Sequence, residues 1–461
     1  MSAFPTDLFT GCRFAILGLG RNGGPAARAL AAMGADVQAW DDGEAGRASL
    51  DDAGAFSGTL TVAPIEKLDG FTALVMSPGI PHILPKVHPV AAMANAAGVP
   101  ILSDADLLFQ AVRKAGSKAH FAGVTGTNGK STTTALLAHL LRHAGLPVAE
   151  GGNLGPASLS LPLLSDDGVY VLEMSSYMLE RLQTLHFDTA CLLNLTPDHP
   201  DRHPDTQRYA TAKTHIFDRM NGNDLAVIGN GDHWCGNIAA EIKARGIPVE
   251  SISGHDDTKA DFHLHDGAVV SHGMIIARPG ATLPGTHNAE NACAALAMAL
   301  KLGVAPDTLA KGIVDFAGLA HRQKRVADIN GVAYVDDSKA TNADAASRAL
   351  GCYEHIVWIA GGMAKAGGID DLVSYFPRIT RTFLIGRDAP ALAETLAAHD
   401  VPYEIAGDLE HAVPAARKAA EEGGAEVVLL SPACASFDQF ASFEARGRRF
   451  AELVHGLEEN A

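Results

Sequence analysis

A chain of 461 residues exceeds what one hydrophobic core supports, and its 47% hydrophobic and 19% charged content excludes disorder. The net charge of −17 excludes nucleic acid and anionic membrane as partners, since each needs a basic face, so any phosphate ligand must be held locally by backbone amides, a few basic residues and metal. The six cysteines (Cys12, Cys191, Cys235, Cys293, Cys352, Cys434) include no CxxC pair, which fits reduced thiols and neither a disulfide framework nor a zinc site.

The chain opens on Met1-Ser-Ala-Phe-Pro-Thr-Asp7, without the basic and apolar stretches of a signal peptide. No apolar run approaches the about 18 residues that span a bilayer. The expected location is the cytoplasm.

Strands are expected at Phe14–Leu17 and Val37–Trp40. Between the first strand and a helix lies Gly18-Leu-Gly20-Arg-Asn22-Gly23, and Asp41 ends the second strand. This is a dinucleotide-binding fingerprint, in which glycines allow close backbone approach to a pyrophosphate at a helix N-terminus. Alone it is a weak signal, since a tight turn with no ligand can also carry it. A third strand, Ala73–Ser77, delivers Ser77-Pro-Gly79-Ile80 to the same sheet edge. A nucleotide diphosphate is expected there, with NAD as one candidate.

A helix at Asp104–Ala115 precedes the strand His120–Val124 and a second glycine loop, Gly126-Thr-Asn-Gly-Lys-Ser131, which opens the helix Ser131–Ala144. Backbone amides of Gly126–Lys130 can cradle phosphates, Lys130 can reach the β and γ oxygens, and Ser131 can ligate Mg²⁺. The strict Walker spacing requires glycine where this chain has Val124, while the shorter form fits. The strand Val169–Glu173 ends on a carboxylate, and the strand Cys191–Leu195 delivers Asp198 and His199 to its own end. Several parallel strands presenting polar residues at one edge build a metal–phosphate site. Lys213 follows on an expected helix, Asp205–Arg219. The segment Asp261–Gly267 alternates like an exposed strand with an Asp-Gly turn, so its histidines are not read as a metal tract. The alanine-rich helix Asn288–Leu302 is mainly a packing element, and strands His355–Ala360, Thr382–Ile385 and Val427–Ser431 complete the pattern. Strands separated by helices give an α/β class in three domains, at 1–102, 103–318 and 319–461. The first and third are expected to be Rossmann-like, and the central one a P-loop ATPase-like parallel sheet.

These motifs, with Ser175-Ser176, Asp198-His-Pro-Asp-Arg202, Tyr209-Ala-Thr-Ala-Lys213, His287-Asn288, Asn291 and His321-Arg322, resemble in order those of the Mur ligase family. Asp337-Ser-Lys-Ala-Thr-Asn342, Ser431-Pro-Ala-Cys-Ala-Ser-Phe-Asp-Gln-Phe440 and Phe443-Glu-Ala-Arg-Gly447 resemble its D-glutamate-adding branch.

The resemblance implies an ATP-dependent ligase that joins D-glutamate to UDP-N-acetylmuramoyl-L-alanine through an acyl phosphate in peptidoglycan precursor synthesis. Its partners would be these small molecules, and the protein a monomer. By the same resemblance, Lys130, His199, Lys213 and Arg322 are catalytic. Gly126, Thr127, Asn128, Gly129, Lys130, Ser131, Thr132, Asn153, Asn288, Asn291, Arg322 and Asp337 contact ATP. Ser131, Glu173, His199 and a carbamylated Lys213 hold Mg²⁺. Gly18, Gly20, Asn22, Gly23, Asp41, Ser77 and Gly79 hold the UDP end, and Lys339, Thr341, Lys365, Ser436, Phe437 and Phe443 surround D-glutamate. The chain departs from the family pattern at Lys324, where an acid is usual, at Asp42-Gly43, and at Met363-Ala364. Rival readings are a related ligase with another acceptor, an NAD-dependent oxidoreductase on the first glycine loop, and a non-catalytic nucleotide switch. The oxidoreductase leaves Lys130, Glu173 and His199 unexplained, and the switch predicts ATP binding without stoichiometric peptide formation.

Overall fold

The computed structural model describes residues 2–50, 54–256, 259–280, 282–365 and 367–458. Its first sheet is built from β1 (Arg13–Leu17), α1 (Gly23–Ala32), β2 (Asp36–Trp40), α2 (Glu44–Ala48), β3 (Thr59–Val62), β4 (Ala73–Met76), α3 (Pro89–Ala97) and β5 (Ile101–Leu102). The five strands are parallel in the order β3-β2-β1-β4-β5. Both faces are covered, so alternate residues of β1 enter different cores: Phe14 and Ile16 pack with Leu30, while Ala15 and Leu17 pack with Ile65, Leu74 and Met76. The register sets Leu17 against Trp40 on one side and Met76 on the other. The residues that follow, Gly18, Asp41 and Ser77, therefore emerge together at the carboxyl edge, where ligands of open α/β sheets bind.

The second sheet draws on α4 (Asp104–Lys114), β6 (His120–Thr125), α5 (Lys130–His143), β7 (Val148–Gly152), β8 (Val169–Glu173), α6 (Ser176–Leu179), β9 (Thr189–Leu192), α7 (Thr206–Thr214), β10 (Leu225–Gly229), α8 (His233–Ala244), β11 (Val249–Ser253), β12 (Phe262–His265), β13 (Ala268–Ser271) and β14 (Met274–Ala277). Its order is β14-β13-β12-β11-β10-β9-β6-β8-β7. Strands β7 to β12 pair in parallel, and β13 and β14 add an antiparallel edge. Val124 lies opposite both Glu173 and Cys191, which brings the glycine loop beside the ends of β8 and β9. Helices α9 (Thr286–Lys301) and α10 (Pro306–Gly312) follow.

The third sheet contains β15 (Lys324–Ile329), β16 (Val332–Asp336), α11 (Ala343–Leu350), β17 (Ile356–Gly361), β18 (Ile379–Ile385), α12 (Ala389–Ala398), β19 (Tyr403–Gly407), α13 (Leu409–Gly423), β20 (Val427–Leu430) and α14 (Phe443–Glu458). Its order is β15-β16-β20-β17-β18-β19, parallel except for the β15–β16 hairpin. Trp358 and Ala360 face one core, and Val357 and Ile359 the other.

The chain divides into two compact units, Met1–Pro279 with Asn288–Asp315, and Gly280–His287 with Phe316–Ala461. The first two sheets belong to the first unit. No helix among the described residues is long and apolar enough to cross a membrane. The α/β class expected from the alternating pattern is observed, with antiparallel edge hairpins added.

Two of the expectations near the glycine loop shift. The strand expected at Cys191–Leu195 runs Thr189–Leu192. The apolar run continues past it because Leu193 makes the last bond to β6, its N–H to Thr125 O, and its side chain packs under Gly126 and Gly129. The helix expected at Asp205–Arg219 ends as α-helix at Thr214 and closes in a 3₁₀ turn, His215–Phe217.

Candidate active site

Between β6 and α5, the chain turns through Gly126 at φ 147° and Gly129 at φ 84°. Gly129 is required twice over: its φ is left-handed, and a Cβ would lie 2.2 Å from Asn291 Oδ1. Asn291, near the start of α9, accepts from Thr133 Oγ1 at 3.2 Å and donates from Nδ2 to Asn288 Oδ1 at 3.2 Å. The two asparagines expected at the nucleotide therefore back the loop. Its other side is tied to β9, because Asn194 accepts from Asn128 N through Oδ1 at 2.9 Å and from Thr127 N through its carbonyl at 2.9 Å. Asn194 escaped the sequence reading, although it is the polar residue that interrupts the run Leu192-Leu-Asn-Leu195.

Lys130 Nζ donates to Gly126 O at 2.8 Å and Thr127 O at 2.7 Å. Lys213 Nζ, on α7, donates to the same Gly126 O at 2.8 Å and to Thr125 Oγ1 at 3.3 Å. Two lysine side chains thus converge on one carbonyl. Lys213 is buried and lies 4.5 Å from the centre of the Tyr209 ring. Burial first, then the charge of Lys130, holds its ammonium well below the ordinary lysine range.

Glu173, at the end of β8, is buried; its Oε1 accepts from Asn153 Nδ2 at 2.6 Å, while Oε2 is buried with no hydrogen-bond partner. An orphaned carboxylate oxygen costs free energy unless a donor or cation meets it. Beyond β9, Asp198 Oδ2 lies 3.4 Å from His199 Nε2, and His199 takes a left-handed φ of 53°. Its ring centre stands 5.3 Å from that of Tyr177. Ser131 and Thr132 lie in the first turn of α5, Ser131 buried. Lys130, Ser131, Glu173, His199 and Lys213 are thus assembled around the carboxyl ends of β6, β8 and β9.

At the first sheet, a cleft of about 610 Å³ is lined by Gly18, Gly20, Asn22, Asp41, Ser77 and Gly79 together with Arg21, Ile80, His88 and Asn153. Gly23 does not line it; as the first residue of α1 it packs so closely that a Cβ would sit 1.8 Å from Gly18 O. Asp41 accepts from Leu19 N at 2.6 Å and Gly43 N at 2.7 Å, and Ser77 Oγ donates to Gly18 O at 2.9 Å. Arg47 donates to the carbonyls of Asp41 and Asp42 from beside the Trp40 ring, and His88 pairs with Asp42 at 3.2 Å. These contacts organise the turn at the Asp42-Gly43 departure. Asn153, expected at the nucleotide, lines this cleft while bonding Glu173, and so joins the two sites.

In the second unit, Asp336 Oδ2 meets His321 Nδ1 at 2.6 Å, and Asp337 accepts from Ser431 Oγ at 2.7 Å and Gln323 N at 3.2 Å. Burial pushes the Asp337 carboxyl up to about 7, against the opposing pull of these hydrogen bonds and of Arg322. Lys339 Nζ stands 3.8 Å from the centre of the Phe443 ring. Met363 and Ala435 exchange backbone hydrogen bonds at 2.8 and 2.9 Å, which tie the loop of exposed Lys365 to that of buried Ser436. Thr341 is half-buried and Phe437 is 71% exposed. Arg446 is buried and donates to Ser338 Oγ, Ser338 O, Cys434 O and Gly361 O. It fastens together three of the loops that carry the expected amino-acid contacts. Lys324, where the family pattern has an acid, donates to Ala317 O at 2.7 Å.

The Mur ligase middle domain matches residues 124–299, and the Mur ligase, glutamate ligase domain matches 321–434. A UDP-N-acetylmuramoylalanine–D-glutamate ligase of Paramagnetospirillum magneticum is 47% identical over 98% of this chain and 98% of its own. Another, of Caulobacter sp. strain K31, is 43% identical over 98% of both. Among solved structures, the UDP-N-acetylmuramate–alanine ligase of Thermotoga maritima is similar at a TM-score of 0.59 and 18% identity, covering 96% of this chain and 99% of that one. A MurF structure from Acinetobacter baumannii reaches 0.57 at 17% identity, covering 95% and 93%. These two likenesses concern the fold.

Proposed function

Because the chain belongs to the Mur ligase family, we propose that it is the ATP-dependent ligase that adds D-glutamate to UDP-N-acetylmuramoyl-L-alanine in peptidoglycan precursor synthesis. The observation that carries the reading is the convergence of Lys130 and Lys213 on Gly126 O, within the same site as the orphaned oxygen of Glu173. A carboxylate and an amine do not condense in water, so the acid is activated first. The γ-phosphoryl of ATP passes to the alanyl carboxylate, giving an acyl phosphate and ADP. The D-glutamate amine attacks the acyl carbon, the C–N bond forms, and phosphate leaves from the tetrahedral intermediate.

The loop amides of Gly126–Lys130 bind and orient the phosphates in this reading, and Lys130 offsets the charge of two anions brought together. Asn288 and Asn291 hold the loop in shape from α9. Ser131, Glu173, His199 and a carbamylated Lys213 are the residues that would hold Mg²⁺, whose charge would further neutralise phosphate oxygens. The buried Glu173 Oε2 and the depressed basicity of Lys213 fit that assignment, since a neutral amine is the form that adds CO₂. The cleft of Gly18, Gly20, Asn22, Asp41, Ser77 and Gly79 takes the UDP end. Arg322 and Asp337 complete the ATP contacts, and Lys339, Thr341, Lys365, Ser436, Phe437 and Phe443 take D-glutamate.

The domain division at 1–102, 103–318 and 319–461 belongs to the same proposal, as do a monomeric state and a cytoplasmic location. All six cysteines are free thiols, which fits a reducing compartment. The test is ADP release with UDP-N-acetylmuramoyl-L-alanine and a panel of D- and L-amino acids. D-glutamate should outrun L-glutamate and D-aspartate, the missing methylene of D-aspartate removing about 1–3 kcal/mol of fit. Equal rates with D-aspartate would contradict the amino-acid assignment.

A further inference from the structure

Arg181 is a buried charge with no part in the chemistry above. It follows α6 and is 2% exposed. Its Nη1 donates to Met76 O at 2.8 Å and Ser77 O at 2.9 Å, its Nη2 to Ile80 O, and its Nε to His82 Nδ1 at 3.1 Å. The four bonds of one guanidinium all land on the segment 76–82, and Ser77 and Ile80 form a wall of the 610 Å³ cleft. Carbonyls ending a strand have no ladder partner of their own, so the planar fork of an arginine suits several of them at once.

His82 has a second partner. Arg202, in the segment of His199, donates from Nη2 to the same His82 Nδ1 at 2.8 Å and to Glu180 Oε2 at 2.6 Å, and from Nη1 to Leu84 O. One ring nitrogen accepting from two guanidiniums must carry a lone pair, which makes His82 the neutral Nε2–H tautomer. Burial first, and then both arginines, pull its pKa down to about 3. The cleft wall is thus bolted directly to Arg181, just after α6, and to the His199 segment through the imidazole that both arginines share.

We propose that Arg181, acting through the wall Ser77–Ile80 and the shared acceptor His82, is a positioning residue that sets where the nucleotide-sugar substrate lies relative to Glu173 and His199. The assignment rests on the functional reading above. Asn153 supports it, because the residue that bonds Glu173 also lines the cleft that the wall closes. A substrate gripped at one end of this cleft presents its carboxylate correctly only if the wall keeps its register with the phosphoryl site, and small misplacements are costly.

The test is steady-state kinetics of the full chain with all three substrates varied. Wild-type ADP release that depends on UDP-N-acetylmuramoyl-L-alanine and D-glutamate comes first; its failure overturns the functional reading and this assignment with it. Arg181→Ala should raise KM for the nucleotide sugar by about tenfold, with KM for ATP and D-glutamate changed by less than about twofold. His82→Leu should reproduce that pattern, and His82→Asn, which keeps an acceptor oxygen, should restore most of the loss. The His82 pair carries the test if Arg181→Ala fails to fold. A purely structural role predicts a smaller active fraction with every KM unchanged. That result, or equal behaviour of His82→Leu and His82→Asn, overturns the proposal.

Discussion

The chain contains two strand–glycine-loop–helix turns, β1 to α1 and β6 to α5, that look alike in sequence and are finished differently. The first spends its polar groups on itself: Asp41 takes the amides of Leu19 and Gly43, Ser77 takes Gly18 O, and Arg21 reaches away to Gly155 O. The second gathers charge, with Lys130 and Lys213 on Gly126 O and Glu173 and Asp198 near Lys213. A self-satisfied turn is a shape and an edge for a ligand, whereas a turn that gathers lysines and carboxylates around one loop is equipped for reacting phosphate and metal. Glycine spacing alone does not separate the two, and the side chains brought in from other strands do.

The largest expected effect lies at the second turn. Lys130→Ala should cut kcat by about 10²-fold or more, because in the proposed reading the removed charge serves the transferred phosphoryl. Thermal unfolding should stay near wild type, since Lys130 is a part-buried residue at the first position of α5 and outside the hydrophobic cores. Near-normal turnover would erase the contrast between the turns. Lys213→Ala should follow with a loss of about 10- to 100-fold, partly recovered by added small carboxylates that fill the gap. A fully active Lys213→Ala enzyme would remove the carbamate from the account.

The first turn should respond as structure and binding. In Gly23→Ala the new Cβ meets Gly18 O at 1.8 Å, so denaturant unfolding should show a loss of about 1–3 kcal/mol. Unchanged stability would mean that the turn is not packed as described. Asp41→Asn should have the smallest effect. It weakens the charge-assisted acceptor for two amides and should raise KM for the nucleotide sugar about fivefold, leaving kcat nearly unchanged. A kcat loss as large as that of Lys130→Ala would make the two turns functionally alike.

Local sequence carried much of this contrast. Buried runs such as Phe14–Leu17 and Val169–Glu173 are strands because both faces are covered, and the motif residues at their ends arrive at one edge by register. The run through Leu193 and Leu195 misled the boundary of β9 because an apolar residue packs equally well under a loop. The antiparallel edges, β13–β14 and β15–β16, answer to pairing partners that no periodicity specifies. Arg181 and His82 gave no local signal of their roles, since each acts on backbone or side chains far along the chain, and Asn194 showed only as a polar break in an apolar run. Lys213 was legible only through a family resemblance, and its buried position comes from the packing of α7 against the loop after β6.

The most direct test of the central claim, that the second turn activates the alanyl carboxylate as an acyl phosphate, is oxygen transfer. UDP-N-acetylmuramoyl-L-alanine labelled with ¹⁸O in its alanyl carboxylate is turned over with ATP and D-glutamate, and the inorganic phosphate is examined by mass spectrometry. Attack of the amine on the acyl carbon leaves the bridging oxygen with phosphorus, so each turnover should place one ¹⁸O in phosphate. Phosphate without label, released at the same rate as ADP, would show ATP hydrolysed by water and contradict the account.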